Sequence, residues 1–233
     1  MVGGSGGEVV TLTSADGTKF RAHLARADQG DAGVVIAPDV RGLHSFYEDL
    51  ADRFATAGIH AIAFDYFGRT AGAEKRDETF EYMPHVRQTT PETVQADVAA
   101  AVEHLREHGI DRVFTVGFCF GGRNSWFAAA GEHGLAGAIG FYGQPAGRES
   151  PGPIQRAGEM KAPILALQAG ADQNISAEDN AAFEQALTDA GVQHEVVTYD
   201  GAPHSFFDRK QEEFADASDD AWRRTLAFIE AHA

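Results

Sequence analysis

Val113-Phe-Thr-Val-Gly117-Phe-Cys119-Phe-Gly121-Gly122-Arg-Asn-Ser-Trp126 carries the strongest fold signal of the chain. Val113 to Val116 is a β-branched and aromatic run suited to a buried strand. Residues 121 to 131 open on two glycines and continue through Trp126, Phe127 and three alanines, which predicts a helix. Between the two lies Gly-x-Cys-x-Gly, with the only cysteine of the chain at its centre. A strand that turns sharply into a helix can hold a nucleophile at the apex. The apex residue is strained, and side chains two residues to either side would strike the neighbouring strand and helix, so glycine is needed there. The apex thiol faces a helix N-terminus, whose partial positive charge favours thiolate. A lone cysteine is more often a small buried hydrophobe, so partners elsewhere in the chain must decide.

The chain has 233 residues, 43% of them hydrophobic, within the range of one α/β domain with a sizeable core. Residues 8–233 are expected to form a single domain, and the glycine-rich residues 1–7 a flexible end. The formal net charge of −16 argues against a nucleic-acid partner, which needs a basic face. One cysteine makes no intrachain disulfide, and a single free thiol fits a reducing cytoplasm. No apolar run approaches the length of a membrane span, and Met1 to Gly7 lacks the apolar core of a signal peptide.

Outward from the central stretch, Glu8 to Thr13 and Thr18 to Leu24 read as strands around the turn Ala15-Asp16-Gly17. Gly33 to Ala37 is a candidate central strand. Ser45 to Ala57 carries a helical apolar pattern, stopped by Gly58. Ile59 to Phe64 is another buried strand. Thr70 to Thr90 has no clean period and reads as loop with one short helical turn. Pro91 to His108 is a strong helix, with Thr90 as cap and Pro91 at its first position. Leu135 to Tyr142, Pro163 to Gln168 and His194 to Tyr199 read as strands. Ala177 to Ala190 and Gln211 to His232 read as helices. Alternation of strands with helices predicts a mainly parallel sheet covered on both faces, with the opening hairpin as its antiparallel edge. The roughly 20 residues between Tyr142 and Pro163 are too few for a separate cap domain.

Catalytic groups in such sheets sit beyond the carboxyl ends of the strands. After Pro163 to Gln168 comes Ala169-Gly170-Ala171-Asp172, and after His194 to Tyr199 comes Asp200-Gly201-Ala202-Pro203-His204. His204 is the candidate base that takes the Cys119 proton and later protonates the leaving group. Asp172 is the candidate that fixes its tautomer and stabilises the imidazolium. Either residue alone has an ordinary structural explanation. Three such residues at three strand ends, in the order nucleophile, acid, histidine, carry the hypothesis together.

With these motifs the chain resembles the dienelactone hydrolase family (carboxymethylenebutenolidases) of the α/β-hydrolases. The resemblance covers nearly the whole chain after Gly33. It rests on Val34-Val-Ile-Ala-Pro-Asp39, Gly117-Phe-Cys-Phe-Gly-Gly122, Gly170-Ala-Asp172 and Gly201-Ala-Pro-His-Ser-Phe-Phe207. It implies the α/β-hydrolase fold and hydrolysis of a lactone or activated ester through a thioester acyl-enzyme. It also implies an oxyanion hole from the backbone amides of Val40 and Phe120. Asp39 falls where the family commonly has a glutamate that holds the resting thiol. If this shorter side chain reaches Cys119, its charge disfavours thiolate; if not, Cys119 pairs with His204 as in papain-like sites. Ser205 matches a substrate-contacting position. The arginine and tyrosine that grip the substrate carboxylate in typical members lack counterparts between Thr70 and Val86. Arg41, Arg76 and Arg123 are the candidate replacements, while Tyr66, Tyr142 and Phe206 are candidates for lining an apolar pocket.

His104-Leu-Arg-Glu-His108 matches an inverted zinc-protease signature. It occupies the last turn of a helix whose Leu105 faces the core, so its histidines are expected to face solvent and to bind no metal. Trp126, seven residues after Cys119, is expected in the core. The leading expectation is a metal-free, cofactor-free cysteine hydrolase of small-molecule lactones or activated esters, acting as a monomer or homodimer. Thiolate leaves more readily than most alkoxides, so enol and aryl esters suit a cysteine best. Organophosphate triesters with aryl leaving groups are a side activity the same site could support. The alternative from another class is a non-catalytic or redox-sensing protein that kept the fold, since an exposed thiol at a helix end oxidises readily.

Overall fold

The computed structural model describes residues 6–77, 79–147 and 150–233. The chain divides into two compact units, Met1–Val113 and Phe114–Ala233.

The first unit begins with β1 (Glu8–Thr13) and β2 (Lys19–Ala25), an antiparallel hairpin in register from Glu8↔Leu24 to Thr13↔Lys19. β2 pairs antiparallel with β4 (His60–Phe64), and β4 pairs parallel with β3 (Ala32–Ala37). Every residue of β3 is buried, as a continuous apolar run requires of a strand covered on both faces. Helix α1 (Ser45–Thr56) buries Tyr47, Leu50, Ala51 and Phe54, one apolar stripe at helical spacing. The expected loop after β4 holds two four-residue helices, α2 (Gly68–Ala71) and α3 (Met83–Val86). Helix α4 (Pro91–Glu107) starts on a full capping box, with Thr90 and Thr93 exchanging side-chain and backbone bonds. Of the N-terminal end expected to be flexible, Met1 to Ser5 lie outside the described residues, and Gly7 N–H donates to Asp52 Oδ1 at 3.0 Å.

The second unit carries β5 (Arg112–Phe118), α5 (Phe120–Ala129), β6 (Gly137–Phe141), β7 (Ile164–Ala169), α6 (Ala177–Asp189), β8 (His194–Tyr199) and α7 (Ala215–His232). All its strand pairs are parallel. The register brings Phe118 beside Phe141, Phe141 beside Leu167, and Leu167 beside Val197. The carboxyl ends of four strands therefore lie along one edge, and the chain leaves them at Cys119, Tyr142, Gly170 and Asp200. Trp126 is fully buried with Phe183, Leu187, Ile164 and Ala166, its ring 4.7 Å from that of Phe183. This contact fastens α5 and α6 to the sheet, and truncating such an aromatic typically costs about 3–5 kcal/mol. Between β6 and β7 the described residues form only the 3₁₀ turn Ala157–Glu159. The mainly parallel sheet and its antiparallel opening hairpin agree with the sequence expectation.

Candidate active site

Cys119 caps the N-terminus of α5 with φ 55° and ψ −111°, a region L-residues rarely occupy. Its N–H donates to Phe141 O at 3.0 Å, and its carbonyl accepts from Arg123 N at 3.2 Å. The turn is tight enough to require glycine on both sides. A Cβ on Gly117 would lie 2.0 Å from Gly121 O, and one on Gly122 would lie 2.6 Å from Phe141 O. The thiol is half-buried.

His204 and Asp172 follow the neighbouring strands. His204 Nδ1 bonds Asp172 Oδ2 at 2.6 Å. The other carboxylate oxygen accepts from the backbone N–H of Asn174 at 2.8 Å and of Ile175 at 3.3 Å. Burial pushes the Asp172 carboxyl up, but the bonds from His204 and Asn174 outweigh it and hold it below its ordinary value. Burial pushes the His204 imidazole down. Its hydrogen bond to Asp172 and the neighbouring Cys119 sulfur, with the charges of both, overcome this and raise it from 6.5 to about 10. The structure thus bonds His204 to Asp172, with Cys119 among the groups that act on the imidazole.

The loop that carries His204 is fixed at several points. Ala171 N donates to Ala202 O at 2.9 Å, tying the acid loop to the histidine loop. Ser218 Oγ on α7 donates to Phe206 O at 3.0 Å. Ser205 adopts φ 64°, is buried, and accepts from Arg209 Nη2 at 3.1 Å. Tyr142 adopts φ 37° and is fully buried, with its ring 5.0 Å from His204 and 5.5 Å from Phe206. Phe206 is also fully buried. Tyr142 and Phe206, expected to line a pocket, form instead a packed aromatic support next to His204. Arg123 Nη1 donates to Ala146 O at 2.9 Å, with its guanidinium 5.1 Å from the Phe127 ring.

The remaining candidates lie in the first unit, in the turn after β3. Asp39 is buried, and Arg41 grips both its carboxylate oxygens, with Nε at 3.1 and 3.0 Å and Nη2 at 2.5 Å. The Arg41 backbone N–H adds a bond at 2.8 Å, and His44 Nε2 stands 3.8 Å from Oδ2. Burial pushes the Asp39 carboxyl up, but His44 and Arg41 outweigh it and hold it far below the usual carboxylate range. Tyr66 is buried, and its hydroxyl donates to the carbonyls of Pro38, at 3.1 Å, and of Asp39. The backbone N–H groups of Asp39, Arg41, Gly42 and Leu43 all donate, to Tyr47 Oη, Asp39 Oδ1, Asp39 O and Asp65 Oδ1. The Val40 N–H has no partner among the described residues. Arg76 is taken up by a buried ion pair with Asp65 at 2.8 Å, which accounts for its charge without a substrate.

Two features escaped sequence reasoning. The Arg41–Asp39 clamp is local, and an aspartate two residues before an arginine was its available signal. The left-handed backbones of Tyr142 and Ser205 had none, since neither residue type favours them. His104 departs from its expected exposure: it is half-buried, its ring 4.6 Å from His108, beside a small cavity lined by Leu24, Leu105 and Ile110. No group of three metal-ligating side chains occurs among the described residues.

The model of the family described as "Dienelactone hydrolase family" matches residues 20–233. The chain belongs to the dienelactone hydrolase family. A relative from Yersinia pestis named "Putative carboxymethylenebutenolidase" is 28% identical over 233 residues, spanning 95% of this chain and 87% of its own length. A relative of the same name from Escherichia coli (strain K12) is 28% identical and spans 95% and 86%. A crystal structure named "Putative Dienelactone Hydrolase" from Klebsiella pneumoniae superposes with a TM-score of 0.84 at 28% identity, covering 96% of this chain and 99% of that one. This dienelactone hydrolase family member therefore has the α/β-hydrolase fold and is a hydrolase of that kind. No helix among its described residues is long and apolar enough to cross a membrane.

Proposed function

We propose that the protein is a cysteine-dependent hydrolase of lactones or activated carboxylic esters, with Cys119 as nucleophile, His204 as general acid and base, and Asp172 as its orienting carboxylate. The observation that carries this reading is a single one. A cysteine stands at a strained strand-to-helix apex, and the histidine whose charged form it favours is bonded to a carboxylate with a buried side chain. Such an arrangement has a role in acyl transfer and none in packing.

The chemistry follows from these groups. The Cys119 sulfur attacks the ester carbonyl carbon, and the carbonyl electrons move to oxygen. The N–H groups of Val40 and Phe120 are the proposed donors to that oxyanion, each worth about 3–4 kcal/mol in comparable sites. Collapse of the intermediate breaks the carbon–oxygen bond, and His204, charged at rest, gives its proton to the leaving alkoxide. Water then attacks the thioester, giving a proton to His204, and collapse expels the Cys119 thiolate and the carboxylic acid, which restores the resting thiolate and charged imidazole. In a lactone the alkoxide stays attached to the acyl chain, so a single hydroxy acid is released.

Arg41 bears on the resting thiol. A carboxylate whose oxygens both accept from a guanidinium carries little uncompensated charge. This favours the reading in which Cys119 pairs with His204 over the one in which Asp39 holds the thiol. Substrate contacts are proposed for Ser205, Arg41 and Arg123. The family model spans both compact units, which supports treating residues 8–233 as one domain. The acidic charge and single thiol favour a cytoplasmic protein with a small-molecule substrate, working as monomer or homodimer. A p-nitrophenyl ester tests the reading. Stopped-flow mixing should show a burst of nitrophenol equal to the enzyme concentration, absent in Cys119→Ala. A burst surviving that substitution would overturn it.

A further inference from the structure

We infer that Tyr66 is a positioning residue for the oxyanion-stabilising amide of Val40, acting through the opposite end of the same peptide unit. The inference rests on the proposed role of Val40 and adds to it a residue whose side chain never touches substrate.

Of the five consecutive N–H groups from Asp39 to Leu43, four donate to partners and Val40's has none among the described residues. Val40 is half-buried, and an amide left without a partner there costs free energy until an acceptor such as a substrate oxyanion takes it. Its direction is set at the other end of the group. The Val40 N–H and the Asp39 C=O belong to one peptide, which is planar and trans, so the two point in opposite directions. The Asp39 carbonyl accepts from the Tyr66 hydroxyl and from Gly42 N at 3.1 Å. Two donors on the oxygen fix the plane and therefore the direction of the N–H.

The same bond has a second effect. Donation to a carbonyl oxygen draws electron density from the amide nitrogen and strengthens the N–H as a donor, by about 10–30% per bond in condensed-phase estimates. Tyr66 is suited to this work. It is buried, and its ring packs at 6.0 Å from Phe64 and 4.8 Å from Phe67, both edge-on, so the hydroxyl has a fixed origin. Tyr47 steadies the preceding peptide by accepting from Asp39 N at 3.0 Å. Tyr66, a sequence candidate for the pocket wall, thus has its hydroxyl committed to the turn.

The test compares an ester with its thionoester, in which sulfur replaces the carbonyl oxygen. Amide donors bind a developing sulfur anion poorly, so the ratio of the two kcat/KM values reports the strength of the oxyanion donors. Tyr66→Phe removes only the hydroxyl. It should lower kcat for the ester about tenfold, less than the ~10²–10³ for deleting a whole donor. KM should stay within about twofold, as expected for an interaction made mainly in the transition state. The ester-to-thionoester ratio should fall by nearly the factor lost in kcat, with the iodoacetamide alkylation rate of Cys119 unchanged. A ratio equal to wild type, whatever happens to the two rates, would overturn the inference, because general loosening slows both substrates alike. Should Tyr66→Phe fail to fold, 3-fluorotyrosine at position 66 serves in its place. Its more acidic hydroxyl should raise the ratio, and an unchanged ratio would again count against Tyr66. Cys119→Ala run alongside separates the two levels. Ester hydrolysis persisting there defeats the proposed function itself, whereas hydrolysis lost there with a ratio indifferent to Tyr66 defeats only this inference.

Discussion

Asp172→Asn is the perturbation whose consequences the structure defines most closely. Asparagine keeps an oxygen that can accept from Asn174 N and Ile175 N, so the loop retains its backbone bonds. What changes is the atom facing His204 Nδ1: an amide nitrogen replaces an anionic oxygen 2.6 Å away. His204 is raised from 6.5 to about 10, a preference for the charged ring of about 5 kcal/mol, at about 1.4 kcal/mol per tenfold change. Asp172 is the first of the two groups that raise it, so the variant should titrate well below wild type. The amide also selects the tautomer with its proton on Nε2, which leaves that nitrogen unable to take a proton from Cys119. In a serine analogue this change costs about 10⁴ in kcat, and a loss of about 10³–10⁴ in kcat/KM is expected here. Carbon-13 NMR of labelled histidine followed against pH reads the titration directly. Wild-type His204 should remain charged through neutrality and titrate near 10, and the variant should lie well below that. A wild-type resonance that titrates near the ordinary 6.5, or a variant that still titrates near 10, would refute the reasoning. Stability carries the same signature. A raised imidazole contributes most below 6.5, and the contribution fades as pH climbs toward about 10. Asp172, whose carboxyl is depressed, contributes above its ordinary 3.8 and loses this as pH falls through its folded value. The stability gap between wild type and variant should therefore be widest between these limits and close toward both extremes.

Three further outcomes are expected. Gly117→Ala places a methyl 2.0 Å from the Gly121 carbonyl; urea unfolding should show a loss of about 3 kcal/mol or more, and an unchanged midpoint would contradict the tight elbow. Arg41→Gln releases one grip on the Asp39 carboxylate; if that clamp keeps Asp39 from suppressing the thiolate, alkylation of Cys119 at neutral pH should slow. Asp39→Asn combined with it should restore the rate, and two flat profiles would leave Asp39 as a turn residue only. Dialysis against EDTA should leave kcat/KM unchanged, since thiol-based acyl transfer calls on no metal; loss of activity recovered with zinc would argue for a metal step.

The strand ends were legible in the sequence because parallel strands buried on both faces read as short apolar runs, and the groups that follow such runs gather at one edge. Gly117-Phe-Cys119-Phe-Gly121-Gly122 announced its own turn, since a side chain at Gly117 or Gly122 would strike neighbouring backbone. The helices α2 and α3, four residues each, are too short to show a period. The C-terminal helix starts at Ala215 rather than Gln211, because residues 208–214 are spent in turns. The supports of the site were the least visible part. Tyr142 and Ser205 carry positive φ with no compositional sign of it. The bond from Tyr66 to a carbonyl 27 positions earlier in the chain becomes apparent only when the turn is folded.

In the proposed reaction the acyl group passes covalently through Cys119. Intact-mass spectrometry of protein quenched in acid within the burst tests it most directly, with a panel of lactones and aryl esters as substrates. A mass increase equal to one acyl group, located on the peptide bearing Cys119 and absent in Cys119→Ala, is expected. Substrate turned over with no adduct on Cys119 under conditions where deacylation is slow, or an adduct on any other side chain, would contradict it.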